Sequence, residues 1–88
     1  PAGKPARQKK LKFTFKEQRE YDTIEADIAA LEARIAQREG EMLACGSDYG
    51  KLQDLTKEQE ADQAALEAKM ERWLYLTDLA ERIAAQEG

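Results

Sequence analysis

Six cations, Lys4, Arg7, Lys9, Lys10, Lys12 and Lys16, fall within the first sixteen residues with no acid among them, and Arg19 follows one helical turn later. Ammonium and guanidinium groups at that density do one kind of chemistry well. They neutralise phosphates and release the counterions that phosphates hold, an attraction that steepens with falling salt and takes little account of base sequence. Charge alone leaves a solvated basic linker equally open. Nothing in the chain suggests reading of base edges, since a recognition helix for a major groove needs a different set of side chains.

Other reactive groups are sparse. The chain has no histidine, so the commonest general base and metal ligand is absent. Cys45 is the only cysteine; it excludes an internal disulfide, fits a reducing compartment, and has no partner pattern of a nucleophile. There is no phosphate-cradling glycine motif of either common kind. The acids lie among helix-forming residues, where they read as solvated charges and neighbouring-turn ion pairs. Trp73 and Tyr21 have the ring systems of a base-stacking platform, but their positions on an apolar seam assign them to packing. Tyr49, Leu74 and Tyr75 lie off or beside that seam, where they are available to a partner. Catalysis by these residues is not expected, and neither a cofactor nor a metal is implied by them.

The elements that must position the cations are helical. Charged residues make up 36% of the 88, and Ala, Glu, Lys, Leu and Arg dominate, as in long helices and coiled coils. Net charge is −4, but the distribution is lopsided: of 14 Lys and Arg, six precede position 17, leaving eight against all 18 acids, so +6 is followed by −10. No run reaches the length of apolar sequence that spans a bilayer, and no signal-peptide core is present, which leads to an expectation of a cytoplasmic location with no membrane partner. The chain opens on proline rather than methionine and reads as a piece of a longer protein.

Residues 1–10, "PAGKPARQKK", have no apolar periodicity and read as a flexible basic linker. Residues 11–88 read as an all-α antiparallel coiled-coil hairpin, with helices at about 15–44 and 49–86. Thr14 with Glu17 forms a T-x-x-E capping box at the start. Apolar residues then alternate at spacings of three and four through Tyr21, Ile24, Ile28, Leu31, Ile35 and Met42, interrupted by Arg38. "ACGSDYG" at 44–50 breaks the pattern, with Gly46 able to end one helix and Ser47 or Asp48 able to cap the next. The second seam runs Leu52, Leu55, Leu66, Met70, Trp73, Leu76, Ala80 and Ile83, interrupted by Gln59 and Asp62. Pairing positions that sum to about 94 sets Met42 against Leu52, Ile24 against Met70, Tyr21 against Trp73, Phe15 against Leu79 and Leu11 against Ile83. The base is thus expected to bury Phe13, Phe15, Tyr21, Trp73, Leu76, Leu79 and Ile83 and to be firm, with a more mobile tip. A monomer is expected, with leftover apolar positions such as Leu74 and Leu79 offering a route to a homodimer.

"LKFTFKEQREYDTIEADIAALEARI", followed by "ALEAKMERWLYLTDL", resembles the C-terminal coiled-coil domain of ABC-F ATPases, specifically the Uup type. The resemblance rests on the lead-in Lys12, Phe13, Thr14, Phe15, Lys16, Glu17, Arg19 and Glu20, and on the E-R-W of Glu71, Arg72 and Trp73. It covers residue 10 to about 83. It implies a soluble parent with two tandem ATP-binding cassettes that use ATP and Mg elsewhere in the chain, and a tail that contributes DNA binding. Because ABC-F relatives act on ribosomes, a ribosomal RNA contact is implied as well. One departure is the compact turn, where relatives often have a longer, proline-containing one. Two function classes follow: a nucleic-acid-binding accessory module working through Lys4, Arg7, Lys9, Lys10, Lys12, Lys16 and Arg19, or a structural brace against the cassettes or the ribosome.

Overall fold

A computed structural model describes residues 10–87, with side-chain surroundings through Gln86. Two helices, α1 (Phe15–Leu43) and α2 (Tyr49–Glu87), run antiparallel and pack along their length. Strong helix formers fill both, so propensity and seam agree.

The start of α1 is fixed by the expected cap. Thr14 is extended, its Oγ1 accepts from the Glu17 amide at 3.0 Å, and Glu17 Oε1 accepts from the Thr14 amide at 3.0 Å. Such a cap contributes about 1 kcal/mol. At the other end Ala44 is the C-cap, and Gly46 takes φ +64°, a left-handed conformation that a Cβ disfavours. Asp48 caps α2, its Oδ1 accepting from the Lys51 amide at 3.1 Å.

Two helices enclose few side chains. Ile24 and Leu76 are fully buried and Leu55 nearly so. Each such aliphatic contributes about 1.5–3 kcal/mol relative to exposure. Cross-helix polar pairs agree with the expected register: the partners Asp27–Lys69, Arg34–Asp62, Glu20–Arg72 and Glu17–Tyr75 have numbers summing to between 92 and 96.

The polar interruptions of the seam meet one another. Arg38 Nη1 donates to Asp62 Oδ2 at 2.7 Å and to Gln59 Oε1 at 3.0 Å, and Arg34 forks onto both Asp62 oxygens at 2.9 and 3.1 Å. Gln59, 5% exposed, donates in turn to the Ile35 carbonyl at 3.0 Å. The two guanidinium groups hold the Asp62 carboxyl down at about 2 against an ordinary 3.8, with Arg34 the larger influence.

Two expected members of the buried base are exposed. Phe15 does not pack into the base; it is 79% exposed. It sits nine residues before the buried Ile24, which at 3.6 residues per turn is two and a half turns, so the two side chains leave the helix on opposite sides. Tyr21 is also more open than expected, at 36%, with Phe13 rather than a deep core against its ring, the centroids 5.1 Å apart.

Candidate nucleic-acid interface

The base of the hairpin is built by contacts between the lead-in and the far end of α2. Leu11 is tied by its own backbone: its amide donates to Gln86 Oε1 at 3.0 Å, and Gln86 Nε2 donates to the Leu11 carbonyl. Phe13 lies on Tyr21. The segment just before α1 is therefore docked, although Leu11 itself keeps 43% of its surface.

Glu17 serves two elements at once. One oxygen closes the capping box and the other accepts from the Tyr75 hydroxyl at 2.9 Å. The Thr14 amide first, and the Tyr75 hydroxyl second, hold the Glu17 carboxyl below the usual carboxylate range; the same bond to Glu17 pushes the Tyr75 phenol up. A turn further on, Arg72 forks onto Glu20 at 2.7 and 2.9 Å and lies over the Tyr75 ring at 4.8 Å. The Arg72 hydrogen bonds lower Glu20, and Glu20 raises Arg72. Trp73 donates its indole N–H to Glu25 at 3.2 Å and, with Ile28 and Met70, lines a shallow groove on the flank. The K-E-x-R-E signature thus meets the E-R-W signature and Tyr75 just beyond it as one clasp: Glu20 engages Arg72 and Glu17 engages Tyr75.

This clasp decides the electrostatics of the end. Glu17 and Glu20, the acids nearest the cations in sequence, are turned inward and engaged. Lys10, Lys12, Lys16 and Arg19 are exposed, and none forms an ion pair with a described residue. Arg19 lies over the exposed Phe15 ring, 5.6 Å from its centroid. Of the seven cations expected to meet phosphate, these four lie together on the docked lead-in and the first turns of α1. Lys4, Arg7 and Lys9 fall outside the described residues. Phe15 is the member of this surface that periodicity alone missed; its angular distance from Ile24 was the available signal.

The opposite end has another character. Leu43 and Tyr49, at 88% and 74% exposure, flank the turn, and a cleft there is lined by Glu39, Met42, Leu43 and Leu52. Among the described residues, no group of acids with Cys45 is arranged to hold a metal ion, and no helix is long and apolar enough to cross a membrane.

An antiparallel helical hairpin with a docked basic lead-in is the class of module that this geometry defines. Residues 12–78 match the ABC transporter C-terminal domain family, and the chain belongs to it. Among relatives, it is 42% identical over 77 residues to the uncharacterized ABC transporter ATP-binding protein YfmR of Bacillus subtilis (strain 168). That alignment spans 88% of this chain and 12% of the relative, so the chain corresponds to a small part of that protein's length. No solved structure matches. The family match begins at Lys12, so Lys4, Arg7, Lys9 and Lys10 lie before it.

Proposed function

We propose that this chain is a nucleic-acid-binding accessory domain, acting on DNA with little sequence selectivity, in a tandem-cassette ATPase of the ABC-F family, Uup type. The observation carrying it is the cluster of exposed, unpaired-in-structure cations Lys10, Lys12, Lys16 and Arg19, continuous in sequence with Lys4, Arg7 and Lys9, at the end where neighbouring acids are engaged inward. ATP and Mg belong to cassettes elsewhere in the parent, which works in the cytoplasm, and the domain itself is a monomer without catalytic groups. Ribosomal RNA offers the same phosphate chemistry.

The reading is tested by fluorescence anisotropy with linear and branched DNA across a salt series. Replacing Lys9, Lys10, Lys12 and Lys16 with Gln weakens binding to every sequence about equally and lowers the log–log salt slope by about 0.9 for each duplex phosphate contact removed. Salt-insensitive binding, or none at modest salt, overturns it. The exposed apolar tip, Leu43 and Tyr49, favours a second reading, a brace against the cassettes or the ribosome. That reading gains if the chain ignores nucleic acid while its deletion changes ATP turnover of the parent.

A further inference from the structure

We infer that Phe15 is a stacking platform for an unpaired base, so that the cationic end prefers single-stranded or gapped DNA over intact duplex. The inference rests on the nucleic-acid reading above and names the substrate form that the same surface selects.

Phe15 is an apolar ring, 79% exposed, on the side of α1 opposite the buried Ile24. Its backbone is not loose. It is the first residue of α1, directly after Thr14, whose capping box with Glu17 holds the chain on both sides of it. A ring held outward on a rigid helix start presents a π-face with little ordering left to lose on contact. Arg19 stands over one face at 5.6 Å, which leaves the other for a ligand.

The surroundings choose the occupant. Arg19 stands over the ring, Lys12 and Lys16 are exposed within three residues of Phe15 in sequence, and the acid Asp22 accepts from Gln18 at 2.9 Å. An apolar protein partner laid over Phe15 would strip water from these charges without replacing it. A nucleic-acid strand supplies both complements, a flat base for the ring and phosphates for the cations. The exposed apolar residues at the tip have a mixed setting instead, with Glu39, Glu41 and Asp48 as well as Lys51 near Leu43 and Tyr49 in sequence. Within a duplex each base is already stacked on its neighbours and offers the protein only an edge. An unpaired base has a face to give, and aromatic stacking of this kind tolerates any base.

The test uses the 88-residue chain and three labelled probes at one ionic strength: an oligothymidylate, a blunt duplex of the same length, and that duplex carrying a short gap. Phe15→Ala is expected to lose about tenfold in affinity for the single strand and the gapped duplex, an effect typical of one base–aromatic stack. Binding to the blunt duplex stays within about twofold, and Phe15→Trp restores the preference. Because the ring is exposed, Phe15→Ala keeps the wild-type helical signal and melting temperature. Equal loss on all three probes, no loss on any, or a Phe15→Leu variant that binds the single strand like wild type each overturns the inference. The two readings separate cleanly. Wild-type chain that binds none of the probes overturns both, whereas Lys12→Gln with Lys16→Gln weakening all three while Phe15→Ala weakens none overturns stacking alone.

Discussion

Leu76 and Leu74 are two residues apart on α2 and have opposite fates, which makes them a sharp probe of the hairpin. Leu76 is fully buried; Leu74 keeps 61% of its surface. Truncating a buried leucine to alanine removes the transfer free energy of its lost carbons and leaves a cavity, together about 2–5 kcal/mol. An 88-residue domain has roughly 4–13 kcal/mol in total, and one with so few enclosed side chains belongs near the lower figure. Leu76→Ala therefore removes a large fraction of the whole. At about 4–8 °C per kcal/mol for a domain of this size, its melting temperature falls by roughly 8–40 °C. Leu74→Ala removes only exposed surface and introduces the best helix former, so it stays within about 0.5 kcal/mol of wild type. Thermal melts followed by far-ultraviolet circular dichroism, at two protein concentrations, measure both. Equal destabilisation by the two variants would refute the assignment of the faces. A wild-type melting temperature that rises with concentration would show that the chain self-associates.

Gly40 lies inside α1, and a Cβ built there meets nothing within 4 Å. Gly40→Ala is expected to stabilise by about 0.5–1 kcal/mol, seen as a higher melting temperature; a decrease would mean that α1 needs a glycine's backbone at that point. Asp62 supplies a pH dependence. Its carboxyl is held at about 2 in the folded chain, below the ordinary 3.8, so its stabilising effect is complete above 3.8 and disappears as pH falls through about 2. Asp62→Asn should thus be less stable than wild type near neutrality, with the gap in urea midpoint closing across that acid window. A gap that does not change with pH refutes the role given to Arg34 and Arg38.

The helix ends were legible because their signals are local. Thr14 and Glu17, Gly46, and Asp48 each act on amides or dihedrals within a few residues, so three short stretches suffice to locate α1, the turn and the start of α2. The pairing of the helices was legible too, since the seam repeats on both. Two features were not. Phe15 was assigned to the base by extending the numerical pairing past the point where the seam ends, when its rotation from Ile24 sets it on the far side. Arg38, Gln59 and Asp62 read as interruptions along one strand of sequence. Their meaning lies in the partner that each meets on the other helix, which periodicity does not carry.

Those three residues also explain how the base is kept in place. A seam of Ile, Leu, Met and Ala could slide by a turn and still bury apolar surface, so hydrophobic contact alone specifies register weakly. In the observed register Arg38 reaches both Asp62 and Gln59, and Gln59 reaches the Ile35 carbonyl. Sliding α2 by one turn would leave a half-buried guanidinium and a buried amide without these partners, a heavy penalty for groups already withdrawn from water. The polar layer therefore selects one alignment, in which Glu17 meets Tyr75, Glu20 meets Arg72 and Leu11 meets Gln86. Only in that alignment do Glu17 and Glu20 meet Tyr75 and Arg72, so that the acids beside the outward-facing Lys16 and Arg19 are engaged across the helices. The engagement of the acids at the cationic end of the rod in this sense depends on part-buried hydrogen bonds some twenty residues away along α1.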